Sequence, residues 1–379
     1  MTRLPLLLLA LAGPAIAQDD SARPGPVLEA YVDGLIEARD IRIGAAERTG
    51  PSPVPWSDEI SVPGSDYIRL HLRVEGPPFP PDATLRLLGA LDQDVAIPLD
   101  RVGPDGMWSD LMPFGRARIA LVAPTPIDPQ STLFIDQLMM QSTKITPYSV
   151  HGINQLTPIN DAAVPADLRA LGAPVAFLSF IEGGFARTCS GFLIGPDRLM
   201  TNEHCINSAA TCASMTAVFG YEFDTEGRLG MGPQLRCRDF EAAQVNVTLD
   251  ASVVTLTGAP GPEYGQVDLA MLGDAADGPM VVIQHPGPQP KQISFLDCDA
   301  GETRIAGRGP ETDFTHTCDT AGGSSGAPIF DVSGRLVGLH HFGFQDGEAW
   351  DSNRGVHADR IQDWLSPDTT AYPAETPPE

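Results

Sequence analysis

Apolar and polar residues alternate along Tyr67-Ile68-Arg69-Leu70-His71-Leu72-Arg73-Val74, which sets Ile68, Leu70, Leu72 and Val74 on one face and the basic residues on the other. That two-residue period is the signature of a half-buried strand. Further short runs follow at Thr84–Leu88, Val95–Leu99, Arg118–Val122 and Leu133–Leu138, separated by turns such as Pro77-Pro78 and Gly103-Pro104-Asp105-Gly106. Short strands with frequent turn signals predict a β-sandwich from about Val54 to Met140. Val27–Ile36 reads as a short helix or strand ahead of it. Met107-Trp108-Ser109 and Pro113-Phe114-Gly115 read as core and turn elements rather than a sugar-binding platform.

Residues from Ser142 to Pro165 lack periodicity and contain Pro147, Pro158 and Pro165, so they read as a linker with a boundary near residue 150. Strand patterns resume beyond it. Val175–Ile181 ends at Gly183-Gly184, and Thr188–Ile194 is joined to Arg198–Thr201 by Gly195-Pro196-Asp197. Strand, turn and strand form a hairpin, which delivers Asn202-Glu203-His204-Cys205. Val281-Val282-Ile283 leads to Gln284-His285-Pro286-Gly287, where His285 reads as structural. The expected organisation is a leader over 1–17, a sandwich over 18–150, a second domain over 151–367 and a Pro-rich acidic tail over 368–379, read as disordered.

Composition adds the compartment and removes several partner classes. Met1-Thr2-Arg3, the apolar run to Ala12 and the small residues Ala15-Ile16-Ala17 predict a cleaved signal peptide and a mature start at Gln18, with a short membrane anchor as the competing reading. An exported protein, secreted or periplasmic, is expected. No later segment stays apolar for the ~20 residues a membrane helix needs, so no span is expected after signal cleavage. The net charge of −25 argues against a nucleic-acid partner, whose footprint would be basic. Lysine occurs only at Lys144 and Lys291, so there is no polybasic membrane patch. The acidic balance suits a monomer that repels its own copies. Six cysteines, all from Cys189 to Cys318, point to disulfides rather than zinc thiolates. Nothing resembles a metal ligand set, a Walker loop or a dinucleotide fingerprint, so no cofactor or metal is expected.

The candidate chemistry centres on Cys318-Asp319-Thr320-Ala321-Gly322-Gly323-Ser324-Ser325-Gly326-Ala327-Pro328-Ile329-Phe330. Glycines here allow close backbone approach, and amides near Gly323 and Ser325 could point at one oxygen, as an oxyanion hole requires. A glycine-rich structural turn is the competing reading. Cys189-Ser190-Gly191-Phe192-Leu193-Ile194 with Thr201-Asn202-Glu203-His204-Cys205 resembles the first catalytic block of trypsin-like (chymotrypsin-fold) serine proteases. Gly323-Ser324-Ser325-Gly326-Ala327-Pro328 resembles their nucleophile block, closest to the bacterial glutamyl-endopeptidase branch. The resemblance covers roughly residues 165–365.

It implies an all-β chain in which the N-terminal β-sandwich precedes a two-β-barrel protease domain with a short C-terminal helix. It implies a nucleophile at Ser325, with Ser324 as the alternative, a base at His204, and oxyanion donors at the amides of Gly323 and Ser325. For the acid, Asp250 in Leu249–Leu256 competes with Asp268 in Val267–Leu272. The order of Pro/Gly loop, Tyr264-Gly265 and Gln284-His285-Pro286-Gly287 favours Asp250 and puts Asp268 on the following strand. The resemblance also pairs Cys189 with Cys205. Cys212, Cys237, Cys298 and Cys318 allow three connectivities, and proximity favours Cys212–Cys237 and Cys298–Cys318. Ser324 stands where trypsin-type zymogens carry an aspartate, so their activation switch is not expected. His340 and Thr320 match pocket residues that would take an acidic P1 side chain of a protein or peptide substrate; packing residues in a protease of other preference are the alternative. The sandwich reads as a pro-segment or an accessory domain. The rival from another class is a catalytically inactive protease-fold binding protein.

Overall fold

A computed structural model of the chain describes residues 30–44, 56–142, 149–275, 278–344 and 352–366. The leader 1–17 and the tail 368–379 lie outside the described residues.

The amino-terminal unit is made of β1 (Tyr31–Ile43), β2 (Trp56–Ser61), β3 (Tyr67–Glu75), β4 (Thr84–Leu88), β5 (Asp94–Pro98), β6 (Met107–Trp108), β7 (Met112–Pro113), β8 (Arg116–Val122) and β9 (Thr132–Gln141). One sheet runs β1-β9-β3, with β6 and β7 on the free edge of β3, and the other runs β2-β8-β4-β5. Their facing sides close over Ile68, Leu70, Leu72, Leu85, Leu87, Ile119, Leu121, Leu133 and Ile135, all fully buried. This is the sandwich that the alternation predicts.

The other face of the β3 sheet does not meet water throughout. Arg69 is fully buried, its Nε donating to the Ser109 carbonyl at 2.8 Å and Nη1 to the Ser214 carbonyl at 2.8 Å. Tyr67, Trp108, Leu111 and Met139 pack there against Phe177, Ala186, Val218 and Tyr221 of the following unit. The basic residues of β3 read as a polar outer face, but burial between two units and carbonyl acceptors hold Arg69 inside. Carbonyl acceptors meet Nε and Nη1, while Nη2 is buried without a partner.

The second unit begins with β10 (Thr157–Pro158) and α1 (Ala166–Ala170), then β11 (Val175–Glu182), β12 (Phe185–Leu193), β13 (Arg198–Thr201), α2 (Ala209–Ser214) and β14 (Thr216–Val218). β15 (Glu222–Phe223) and β16 (Leu229–Gly230) form a small hairpin before β17 (Gln234–Asp239), β18 (Val245–Asn246), β19 (Ala251–Leu256) and α3 (Gly261–Tyr264). β11-β14-β17-β19-β13-β12 closes on itself through the β11–β12 pairing, giving a six-stranded barrel. The rest of the chain adds β20 (Met280–Gln284), β21 (Gln292–Ser294), β22 (Ala300–Ile305), β23 (Asp313–His316), β24 (Pro328–Asp331), β25 (Leu336–Phe342), β26 (Asn353–His357) and α4 (Ala358–Leu365). These strands form a half-barrel in the order β10-β21-β20-β24-β25-β26-β23-β22. Phe192, Met200 and Val253 of the first barrel meet Val281, Ile283, Phe330 and Leu339 of the second in one core, which Ile361 of α4 joins.

Two expectations change. The stretch read as a linker is fastened from Ser149 onward: its carbonyl accepts from Thr320 N–H at 3.1 Å, and the amides of His151 and Gln155 donate to the Asp319 carboxylate at 2.8 and 2.7 Å. Gln266–Leu272 is not a strand. Asp268 is exposed and accepts from Ala270 N–H at 2.8 Å, the local side-chain contact that favours a turn over a ladder.

The six cysteines pair as Cys189–Cys205, Cys212–Cys237 and Cys298–Cys318. The last links the turn before β22 to the segment entering Gly322-Gly323. Replacing both Cys298 and Cys318 by alanine is expected to cost about 3 kcal/mol, from the loop-closure entropy returned to the unfolded chain. A denaturant titration of the full chain reads this as a lower midpoint, with a steeper slope because the unfolded chain is no longer held compact by the cross-link.

Candidate active site

The β12–β13 hairpin carries His204 to its place one turn beyond Thr201. His204 N–H donates to Asp250 Oδ1 at 3.0 Å, and its Nδ1 lies 2.8 Å from Asp250 Oδ2. Both side chains are buried. Asp250 sits at the entry to β19 with φ +46°, a left-handed conformation open to aspartate at low cost. The Asn202 side chain donates to its carbonyl at 2.8 Å and holds that turn in place.

A second imidazole meets the same carboxylate. His341 Nδ1 lies 3.3 Å from Asp250 Oδ2, and its Nε2 lies 2.9 Å from Asp313 Oδ2. Arg308 reaches Asp250 Oδ1 at 3.4 Å while pairing with Glu203 at 2.6 Å. Burial opposes the charge on Asp250, but the charges and hydrogen bonds of His204 and His341 outweigh it and hold the carboxyl well below its usual range. For His341 burial likewise opposes the charge, and Asp313 and Asp250 override it, holding the imidazole at about 9. Asp250 is therefore an anion with three donors around it, and His204 Nε2 is left without a hydrogen bond among the described residues.

The turn Gly322–Gly326 is fastened to β12. Ser190 N–H donates to the Ser325 carbonyl at 2.8 Å, and Ser190 Oγ donates to the Gly323 carbonyl at 2.9 Å. Gly326 has φ +85°, and a Cβ there would lie 2.2 Å from the Ser190 carbonyl and 2.4 Å from Thr201 Oγ1. Only glycine lets the turn approach β12 and β13 this closely. Gly323, at φ +96°, is packed on the His285 carbonyl, with the Gly322 carbonyl accepting from Gly287 N–H. The two serines are in different surroundings. Ser324 is fully buried, with Oγ accepting from Ala321 N–H at 3.0 Å, whereas Ser325 is only half-buried. Among the described residues, the amides of Gly323 and Ser325 make no hydrogen bond, and none joins Ser325 Oγ to His204 Nε2.

His285 is fully buried and stacked on Tyr221, with N–H donating to Ser190 Oγ at 2.9 Å. Burial and the Lys291 charge push its imidazole down to about 3, so it is a neutral packing group. His340 and Thr320 are both buried, and Thr320 Oγ1 has no partner. His340 lies on β25, backbone-bonded to Gly326 and Ala327, so its strand borders the turn that carries Ser325. Its Nδ1 lies 3.1 Å from Nε2 of buried His316, a partner with no signal in the sequence. Burial first, then the neighbouring imidazoles, pushes His340 well below its ordinary value and His316 to about 3. The sequence likewise carries no signal for His341, Asp313 or Arg308. His341 adjoins His340; the pairing of β25 with β26 and β26 with β23 brings it to Asp313, and the packing of the two barrels brings it to Asp250.

Residues 189–339 match the family model described as trypsin-like peptidase domain, a span that includes His204, Asp250 and Ser325. The chain carries a trypsin-like peptidase domain. An uncharacterized protein of Sinorhizobium fredii is 33% identical to the chain over 201 residues, covering 49% of this chain and 28% of that protein. A secreted RxLR effector protein of Plasmopara viticola is 28% identical over 166 residues, 41% of each chain. The chain thus spans well under half the length of these curated relatives. A solved Glu endopeptidase is 21% identical, covering 57% of this chain and 97% of that one, with a TM-score of 0.42. The match falls within the two barrels, from β12 to β25, and leaves the amino-terminal sandwich outside it.

Proposed function

We propose that the chain is an exported serine endopeptidase in which Ser325 attacks the peptide carbonyl. His204 takes the serine proton and returns it to the leaving nitrogen. Asp250 holds the imidazole in the tautomer that leaves Nε2 available and stabilises its charged form. The amides of Gly323 and Ser325 receive the developing oxyanion. The observation that carries this reading is the buried pair of His204 Nδ1 and Asp250 Oδ2 at 2.8 Å beside a turn with two open amides. The trypsin-like peptidase domain supports a protease over an inactive binding protein. Export is supported by three disulfides, which persist in oxidising compartments. Among the described residues no helix is long and apolar enough to cross a membrane.

For the substrate we infer an acidic P1 side chain, received by His340 and Thr320. Thr320 Oγ1 is a buried hydroxyl without a partner, and such a group is costly unless a ligand satisfies it. His340 and His316 are neutral in the free pocket, so an arriving carboxylate supplies the anion that favours a proton on the imidazole. Binding then takes up a proton. The ratio of kcat/KM for a Glu-P1 peptide over its Gln-P1 analogue is expected to rise as pH falls from 8 to 6, by up to about tenfold per pH unit for one linked proton. Taking the ratio cancels pH effects common to both peptides.

Fluorophosphonate labelling with a P1 peptide library tests the whole reading. Labelled Ser325 and cleavage after Glu or Asp are expected. An unlabelled wild-type protein would overturn the enzyme, and cleavage confined to Arg, Lys or large apolar P1 residues would overturn the acidic pocket alone.

A further inference from the structure

The sheet edge that leads to the nucleophile is already filled, and the chain fills it with its own amino-terminal strand. β1 pairs antiparallel with β12 in the register Tyr31↔Thr188, Val32↔Arg187, Gly34↔Ala186 and Leu35↔Phe185. β11 covers the opposite edge of the same β12 residues, and β13 takes over the near edge only at Phe192 and Leu193. Phe185–Thr188 therefore offers an open edge to one extended strand, the usual way a sheet receives a peptide.

That edge points at the chemistry. From Thr188, β12 continues into Cys189, disulfide-bonded to the neighbour of His204, and into Ser190, which holds the carbonyls of Ser325 and Gly323. Thr188 Cγ2 lies 3.1 Å from where a Cβ on Gly323 would stand. Ala30 immediately precedes β1. It is 2% exposed, packs in the cluster containing Cys189 and Cys205, and its carbonyl accepts from Arg187. Strand polarity completes the match. A peptide cut at Ser325 has its carbonyl on the nucleophile turn and its leaving nitrogen beside His204, and its remaining residues run outward. β1 runs outward from Ala30 to Leu35 along this edge, so it has the place and direction of a leaving half.

We propose that β1 occupies the leaving-group side of the cleft and that the chain's own Ser325 cuts the Glu29–Ala30 bond once. The inference rests on the peptidase reading above, and the acyl-side residue, Glu29, belongs to the acidic class inferred for the pocket. Ser325 Oγ bonds to the Glu29 carbonyl carbon as its proton passes to His204. That proton then goes to the Ala30 nitrogen as the C–N bond breaks, leaving a Glu29 ester on Ser325. Water splits the ester, giving a Glu29 carboxylate and restoring the serine hydroxyl. The new Ala30 terminus stays in place, because β1 is also paired with β9 from Gly34↔Gln141 to Ile43↔Leu133. Later substrates must release their leaving groups past it.

The test compares full-length wild type, Ser325→Ala and Glu29→Lys by intact mass and amino-terminal sequencing, with fluorophosphonate labelling of the wild type alongside. The wild type is expected to begin at Ala30, having lost every earlier residue. Both variants are expected to keep Glu29 or its replacement attached. A wild type still carrying Glu29, a Ser325→Ala chain beginning at Ala30, or a Glu29→Lys chain trimmed like the wild type would overturn the proposal. Labelling separates the two readings: a labelled wild type with Glu29 attached removes only the self-cleavage, whereas an unlabelled one removes the peptidase as well.

Discussion

Ser325→Ala is expected to lower kcat by about 10⁶ with little change in KM, the loss found when a serine peptidase loses the group that acts as a unit with its histidine. The substitution removes one oxygen from a half-buried position and disturbs no hydrogen bond among the described residues, so folding should be unaffected. Ser324→Ala serves as the control. Its hydroxyl accepts from Ala321 N–H inside the turn, and losing that buried contact costs roughly 1–3 kcal/mol of stability rather than the nucleophile. Initial rates on an acidic-P1 aminocoumarin peptide and a thermal melt of both variants distinguish the two serines. The assignment reverses if Ser324→Ala abolishes turnover while Ser325→Ala keeps it.

The parts of the fold legible in the sequence are those with a local cause. Alternation in Tyr67–Glu75 and the turn residues between short apolar runs specify a sandwich, and its core closes over Ile68, Leu70 and Leu72 as the period requires. The hairpin that presents His204 is visible because Gly195-Pro196-Asp197 separates two apolar runs. Asp250 and Asp268 both precede apolar residues, so periodicity alone does not separate them. Chain order favoured Asp250, and its carboxylate is the one that meets His204, while Asp268 closes an exposed turn.

What stayed illegible depends on contacts between segments far apart in the chain. Arg69 has the pattern of a solvent-facing strand residue, and only the docking of Ser109 and Ser214 around it explains its burial. β1 could be read as helix or strand, because its thirteen residues are stabilised by β9 on one side and β12 on the other rather than by a clean period. This pairing also makes the sandwich and the first barrel one continuous sheet, so a boundary near residue 150 does not describe how the two units are joined. His341 shows no sequence signal distinct from its neighbour His340; adjacent strand positions face opposite ways, one toward His316 and the other toward Asp250.

Asp250→Asn is expected to reduce kcat by about 10⁴, because an amide at this position can donate to His204 Nδ1 and stabilise the tautomer whose Nε2 carries a proton and cannot serve as a base. The surroundings make the change severe here. Asp250 Oδ2 is shared by two imidazoles, and Arg308 lies at Oδ1, so neutralising it leaves the charge of His341 facing only Asp313. His341 is cationic in the fold, with its pKa raised to about 9 from an ordinary value near 6.5. Its contribution to stability is full below the unfolded value and is lost as pH rises through about 9. Asp250→Asn should lower the pKa of His341 and weaken that alkaline loss, a change in the pH–stability curve that catalysis alone would not produce. His341→Gln keeps a donor to Asp250 while removing the charge, so it is expected to flatten the same curve and to cost kcat far less than Asp250→Asn. Thermal melts from pH 6 to 10, with initial rates for both variants, check the pair. An Asp250→Asn enzyme that turns over at the wild-type rate would remove this carboxylate from the mechanism.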